Sequence, residues 1–94
     1  MSDKVLPVEY FLEVYEMSNK FNMTSVGYSV QTSTPLNNLN IGDKYHHQGS
    51  GEWFDPPMQG ECFYIKDIRH FIWEIEGSHV GHKSMVYIQK GLDV

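Results

Sequence analysis

The segment Pro7–Phe21, which reads PVEYFLEVYEMSNKF, decides the fold class because two periodicities compete in it. On a helical wheel, Glu9, Glu13 and Glu16 fall on one arc and the apolar side chains fall opposite. The apolar residues also alternate as in a strand, and Val, Tyr and Phe favour strands. A strand, however, puts Glu16 on the face opposite to the other two glutamates. We therefore predict an N-terminal helix over 7–21, with Pro7 in its first turn.

Three other segments predict strands or turns. Ser25–Gln31 alternates apolar and polar residues, which is typical of a strand with one buried and one exposed face. Leu39–Tyr45 contains a Gly-Asp pair, which predicts a turn that leads into a short strand. Lys83–Gln89 alternates again and predicts the last strand.

The segment Glu61–Glu76 fits two interpretations. Its β-branched and aromatic residues favour two strands separated at Lys66 and Asp67. Its apolar residues also form a helical stripe over 67–76, with Asp67 as N-cap and Gly77 as C-cap. We favour the strands. The whole chain then predicts the fold class α+β: a single domain over 1–94, with a mostly antiparallel sheet of about four or five strands, curled or barrel-like, covered by the N-terminal helix.

Composition narrows the function classes. The chain has 7 Lys and Arg residues against 12 Asp and Glu residues, a formal charge of −5 at pH 7. General nucleic-acid binding is not expected, because neutralising phosphates needs a basic surface. The single cysteine, Cys62, cannot form an internal disulfide, which suits a reducing compartment. No secretory signal opens the chain, and no apolar run approaches the roughly 20 residues of a membrane span. We expect a soluble cytoplasmic protein without membrane association.

The Gly- and Pro-rich segment Gln48–Gly60 predicts a long loop, and it carries the adjacent aromatics Trp53 and Phe54. One interpretation is an anchor for a protein partner, because aromatic rings contribute much of the energy of interfaces. The other is that both rings fold back and plug a small core. We take the anchor as the functional hypothesis. The predicted partner-binding residues are Trp53, Phe54, Asp55, Met58, His46 and His47.

Histidine pairs provide a weaker hypothesis, a metal site. His46 and His47 are adjacent, and His79 and His82 lie in and just after the predicted loop Gly77–Gly81. Two such pairs could supply tetrahedral zinc ligands. Adjacent strand residues point to opposite faces, however, and no supporting metal motif accompanies these histidines. We therefore predict no metal and no cofactor, and keep these four histidines as the weaker candidates.

Catalysis has little support in the sequence. A nucleophile needs a neighbouring base. Cys62 lies in a strand-like run, where a free cysteine usually packs in the core. His70, in a neighbouring apolar run, is about 26 Å away if the strand continues without a turn. We predict no catalytic residues and no enzyme activity.

The sequence therefore predicts a small intracellular protein-interaction or inhibitor module. Its small size and lack of motifs would fit a viral or phage accessory protein that blocks a host factor. An alternative is a small-molecule or nucleotide-binding domain, with Tyr28, Tyr64 and Trp73 around a barrel mouth or a dimer cleft. A homodimer is compatible with a small sheet that has exposed edges.

Overall fold

The computed structural model describes residues 5–18, 20, 22–36 and 38–94. The strands are β1 (Val8–Ser18), β2 (Met23–Thr32), β3 (Lys44–Tyr45), β4 (Glu61–Ile75) and β5 (His79–Leu92). They form one curled sheet in the order β2-β1-β5-β4-β3. β1 and β5 run parallel, and every other neighbouring pair is antiparallel. The described residues are therefore all-β.

The predicted α+β class and the N-terminal helix are wrong, since Val8–Ser18 is a strand. Phe21, at the end of the predicted helix, lies outside the described residues. The sequence predicts a helix because a strand places Glu16 on the face opposite to Glu9 and Glu13. In the structure Glu16 does lie on the other face and is only 1% exposed. Its carboxylate accepts two backbone N–H bonds from Phe54 and Asp55, which compensate for its burial.

The remaining predictions of local structure were mostly close. Ser25–Gln31 lies inside β2, and Gly42, with a φ of 96°, forms the predicted turn before β3. Gln48–Gly60 has no regular element. The helix alternative over 67–76 is wrong, because Glu61–Ile75 is one continuous strand. A register shift between Ile65 and Asp67 replaces the predicted break.

The core lies on one face of the sheet, which we call the inner face. Alternate residues of each strand point to it, as strand geometry requires. Its buried apolar residues are Leu12, Val14, Phe63, Ile65, Val86 and Ile88. The opposite face, which we call the outer face, has no second layer over it among the described residues.

The sheet is long and narrow, with principal extents of 55 × 23 × 22 Å. At one end, which we call the covered end, the loop of residues 46–60 packs over the inner face beside β3. At the other end, β4 residues 70–75 and β5 residues 79–84 form a hairpin, which we call the open end. There Phe71 is 57% exposed and Ile72 is 65% exposed. The described residues include no helix suited to crossing a bilayer.

Candidate functional site

Trp53 lies against the sheet at the covered end. Its ring sits directly on Gly27, where an added Cβ would come within 2.0 Å of the indole. Its ring centroid is 5.4 Å from that of Phe63 and also 5.4 Å from that of His47. Trp53 packs against the core cluster as a partly buried side chain. This indole therefore closes the end of the core.

The two residues that follow Trp53 tie the loop to the sheet. The backbone N–H groups of Phe54 and Asp55 donate to the two carboxylate oxygens of Glu16, at 2.9 and 2.7 Å. The carboxylate of Asp55 accepts from Ser18 Oγ at 2.8 Å and from Lys90 Nζ at 2.6 Å. The hydrogen bond from Lys90, and after it the one from Ser18, holds the pKa of Asp55 below its usual value. Asp55 is 8% exposed and thus serves as a structural anchor for the loop.

The other residues of the predicted partner-binding set divide between the inside and the surface. His47 is partly buried, with Nδ1 2.8 Å from the Tyr45 hydroxyl. His46 is exposed, and the side chains of Phe54 and Met58 are 40% and 75% exposed. The six residues thus do not form one surface patch. Their role in binding a partner stays a prediction, carried mainly by Phe54 and Met58.

The structure separates the four histidines considered for a metal. His79 is on the outer face, with Nε2 3.6 Å from a Glu9 oxygen. His82 is on the inner face, opposite Ile72 in β4. His47 comes two residues after Tyr45, the last residue of β3, and Tyr45 pairs with Phe63 of β4. Nine strand residues, or roughly 30 Å, separate the positions of Phe63 and Ile72. Within the described ranges, no three His, Cys, Asp or Glu side chains are grouped to hold a metal.

Cys62 and His70 are also separated. Cys62 is buried opposite Gly91, and His70 pairs with Ser84 near the other end of the same strand. Because β4 continues without a turn, the imidazole cannot act as a base for the thiol. The structure thus brings together none of the catalytic arrangements that the sequence allowed.

The outer face carries rows of aromatic rings that the sequence analysis did not recognise as a surface. Near the open end, the Trp73 ring stacks on Phe11 with centroids 5.6 Å apart. Its centroid lies 5.7 Å from that of the tilted Phe71 ring. Towards the middle of the sheet, Tyr15 stacks on Tyr87 at 4.9 Å. The alternation within β1 could have indicated this face, had the segment been interpreted as a strand. We call the patch formed by Phe11, Phe71 and Trp73 the aromatic patch.

Charges around this patch occur as neighbouring pairs of opposite sign. Lys83 Nζ is 3.3 Å from Glu13. Arg69 Nε is 2.9 Å from Asp67, and its guanidinium lies 5.1 Å from the Tyr87 ring centroid. The bond to Asp67 raises the pKa of Arg69. Since each of these cations has an acidic neighbour, the face offers rings without a local excess of positive charge.

Tyr15 lies beside Glu13 on the outer face and is partly buried. Its hydroxyl donates to Glu13 Oε1 at 2.9 Å. The pKa of Tyr15 is raised to about 12, mainly because the phenol is partly buried and next because it bonds to the Glu13 carboxylate. The phenol is therefore neutral near pH 7 and acts as a donor, so it adds no charge to the outer face.

The inner face carries a groove near the open end, with a volume of about 510 Å³. Its lining includes Leu36, Leu39, Ile41, Ile68, His70 and Ser84. His70 Nδ1 is 3.0 Å from His82 Nε2 and 3.4 Å from Ser84 Oγ. Asn38 and Asn40 complete the lining, so the groove is about as polar as it is apolar.

The aromatics proposed for a small-molecule site do not line this groove. Tyr28 packs at the covered end, where its ring centroid is 4.5 Å from that of His47. Tyr64 pairs with Gln89 and Trp73 with Gly81, nine residues apart along β4. The three rings therefore do not converge on a common cavity.

Comparison with known proteins adds no relative. The chain matches no protein-family model, and no curated protein or solved structure is significantly similar to it.

Proposed function

We propose that this protein is a small protein-binding module, and that its partner binds the aromatic patch on the outer face. The observation that carries the proposal is Phe71, which is 57% exposed beside the rings of Trp73 and Phe11. Clustered aromatic rings of this kind often supply the energetic centre of protein interfaces. An exposed contiguous apolar patch also marks interaction sites on small proteins.

The chemistry of the face favours a protein over a nucleic acid. The cations nearest the patch, Lys83 and Arg69, lie 3.3 and 2.9 Å from carboxylates. Nucleic-acid binding would need basic groups that neutralise phosphates, and the whole chain carries a formal charge of −5. The expected partner is therefore a protein with an apolar patch of little net charge. Inhibition of a host factor is one form of such binding and stays a prediction from the sequence.

Affinity capture with matched variants tests the proposal. The intact chain is immobilised as wild type, Phe71→Ser and Met58→Ser, and lysate of the source cells is passed over each. Met58 is 75% exposed on the loop of the covered end, so its variant probes the surface expected from the sequence. A recovered protein is then purified and its affinity measured by calorimetry.

We expect Phe71→Ser to weaken binding about 30-fold or more, as loss of an interface hot spot does. Met58→Ser should leave the affinity unchanged. Recovery of no specific protein would overturn the proposal. Weakening by Met58→Ser with no effect of Phe71→Ser would move the site to the loop.

Small-molecule binding is a second candidate function, favoured by the 510 Å³ groove beside His70 and Ser84. Ligand sites combine apolar walls with polar groups that orient the ligand, and the lining of this groove contains both. A compound that binds there should raise the melting temperature by mass action. His70→Ala should remove that rise, and His46→Ala, which changes an exposed histidine elsewhere, should preserve it. A ligand panel that gives no rise with the wild-type protein would contradict this candidate.

A further inference from the structure

Two histidines lie side by side on the inner face near the open end, one in β4 and one in β5. His70 Nδ1 is 3.0 Å from His82 Nε2, and Ser84 Oγ is 3.4 Å from the same His70 nitrogen. His70 pairs with Ser84, and His82 comes two residues before Ser84. The two imidazoles are therefore diagonal neighbours across the two strands, a relation that long side chains can bridge.

The β-bulge in β4 places His70 on the same face as His82. Ile65 belongs to the core on the inner face, so regular alternation would put His70, five residues later, on the outer face. The register shift between Ile65 and Asp67 moves His70 to the inner face, opposite Ser84. β-Bulges commonly re-aim a side chain and are frequent beside functional sites. The bulge and the short distance between the two nitrogens thus point to the same pair.

We propose that His70 Nδ1 and His82 Nε2 together bind one divalent transition-metal ion such as Zn²⁺. Zinc–nitrogen bonds of about 2.0–2.1 Å that meet at the tetrahedral angle place their nitrogens about 3.3 Å apart. The two nitrogens, now 3.0 Å apart, need to separate by only about 0.3 Å. His70 is exposed, so its ring can turn to make this adjustment. The contact between the rings keeps both nitrogens close together before the ion binds.

The donor atoms select the class of ion. Imidazole nitrogens suit Zn²⁺, Ni²⁺ and Cu²⁺, whereas Mg²⁺ and Ca²⁺ prefer oxygen ligands. Within the described ranges, no third His, Cys, Asp or Glu joins the pair. The remaining coordination positions are therefore left to water or to a donor atom of a ligand in the groove, whose lining includes Asn38, Asn40 and Ser84. Open positions of this kind are typical of metal sites that bind ligands.

This site differs from the one considered for the four histidines of the sequence and shares only His82 with it. His79 cannot join the pair, because it lies on the outer face with Nε2 3.6 Å from a Glu9 oxygen. The inference concerns the groove of the second candidate function, but it does not depend on an organic ligand, since the ion alone is the probe. It is also independent of the proposed partner of the aromatic patch.

Isothermal titration calorimetry of the intact, untagged chain with zinc chloride tests the proposal. The wild type should bind one Zn²⁺ per chain and give no heat of binding with Mg²⁺. His70→Gln and His82→Gln should each weaken Zn²⁺ binding about tenfold or more, because each removes one of the two nitrogens. His79→Gln is the matched control, since it removes an imidazole of the outer face, and should leave the affinity unchanged. Circular dichroism of each variant separates loss of binding from loss of folding.

Nitrogen-15 NMR of the histidine rings identifies the coordinating atoms. When Zn²⁺ is added to the wild type, the resonances of His70 Nδ1 and His82 Nε2 should shift, and those of His46 and His79 should stay fixed. This measurement uses only the wild-type chain, so it decides the question even if a variant fails to fold.

A wild type that binds no Zn²⁺ would overturn the proposal, as would unchanged binding in both His70→Gln and His82→Gln. Binding lost in His79→Gln alone would assign the ion to the outer face and would equally overturn it. If Zn²⁺ binds as expected while the ligand panel gives no rise in melting temperature, the ion site stands and the small-molecule function is contradicted.

Discussion

The two tryptophans of this protein have similar immediate surroundings and different positions in the sheet. Trp53 lies on Gly27, and Trp73 lies on Gly81 in the neighbouring strand β5. At each glycine an added Cβ would come within about 2 Å of the indole: 2.0 Å for Trp53 and 2.1 Å for Trp73. Trp53, however, packs against the core on the inner face, whereas Trp73 stacks with Phe11 on the uncovered outer face.

This difference shows that whether a ring packs in the core depends on the face of the sheet it lies on, not on whether its residue belongs to a loop or a strand. Trp53 belongs to an irregular loop, and that position suggested a partner anchor. The hydrogen bonds that the backbone N–H groups of Phe54 and Asp55 donate to Glu16 fix the loop against the sheet. The Trp53 ring is therefore packed against the core. Trp73 belongs to a regular strand, yet no second layer of the described chain covers it. The covered end is thus packed against the core, whereas the open end leaves aromatic rings exposed.

Truncating the two indoles gives the largest expected effect. Trp53→Ala should lower the free energy of unfolding by about 3–5 kcal/mol, as for other large aromatic side chains in cores. Trp73→Ala should cost about 1 kcal/mol, chiefly the loss of ring contacts on an open face. Urea unfolding followed by circular dichroism measures both. Equal losses would contradict the contrast between the two ends.

Glu16 is the next strongest test, because it joins the loop to β1. Glu16→Gln replaces one acceptor oxygen by an NH₂ group, which cannot accept from Phe54 N or Asp55 N. We expect a loss of about 2–3 kcal/mol in unfolding free energy, typical of a hydrogen bond to a charged group. Glu13→Gln on the outer face is the matched control and should cost less than about 1 kcal/mol. A larger effect at Glu13 would refute the role given to Glu16.

Substituting the glycine under each indole tests the same comparison between Trp53 and Trp73. Gly27→Ala forces a Cβ into the indole of Trp53, which the core confines, and should cost about 1–3 kcal/mol. Gly81→Ala meets Trp73 at a similar distance, but that ring can move into solvent, so the cost should stay below about 1 kcal/mol. Thermal unfolding of both variants gives the measurement. A reversed order would show that Trp73 is the more confined ring.

The smallest expected effect is a pH dependence at the covered end. Lys90 and Ser18 hold the pKa of Asp55 below its unfolded value, so its carboxylate stabilises the fold above that unfolded pKa. This contribution is lost as the pH falls through the folded pKa. Asp55→Asn should therefore flatten the acid side of the stability profile. The exposed Asp93, whose pKa Lys44 lowers, should give a weaker effect when changed to Asn. An unchanged acid profile in Asp55→Asn would contradict this.

Much of the local structure could be predicted from the sequence, because alternation within β2 and a Gly-Asp turn are local signals. The error over Val8–Ser18 came from Glu16, whose hydrogen-bond partners lie 38 and 39 residues away. Nothing near Glu16 in the sequence indicates them. The parallel pairing of β1 with β5 joins opposite ends of the chain and is likewise invisible to local patterns.

The candidate site shows the same limit. Phe71 and Trp73 were recognised as strand residues, but their exposure depends on which face of the sheet the loop covers. That choice is made by tertiary contacts of Asp55 with Ser18 and Lys90. The loop aromatics were singled out because of their irregular surroundings, and for Trp53 the alternative interpretation, a plug of the core, agrees with its packing.

The most direct test of the account is fluorine NMR of the intact protein labelled with 5-fluorotryptophan. The two resonances are assigned with Trp53→Phe and Trp73→Phe, and the spectrum is followed as the purified partner protein from the affinity capture is added. If the open end is where the partner binds, the Trp73 resonance should shift as the partner is added and the Trp53 resonance should stay fixed. A shift of Trp53 with Trp73 unmoved, or no shift of either, would contradict the account.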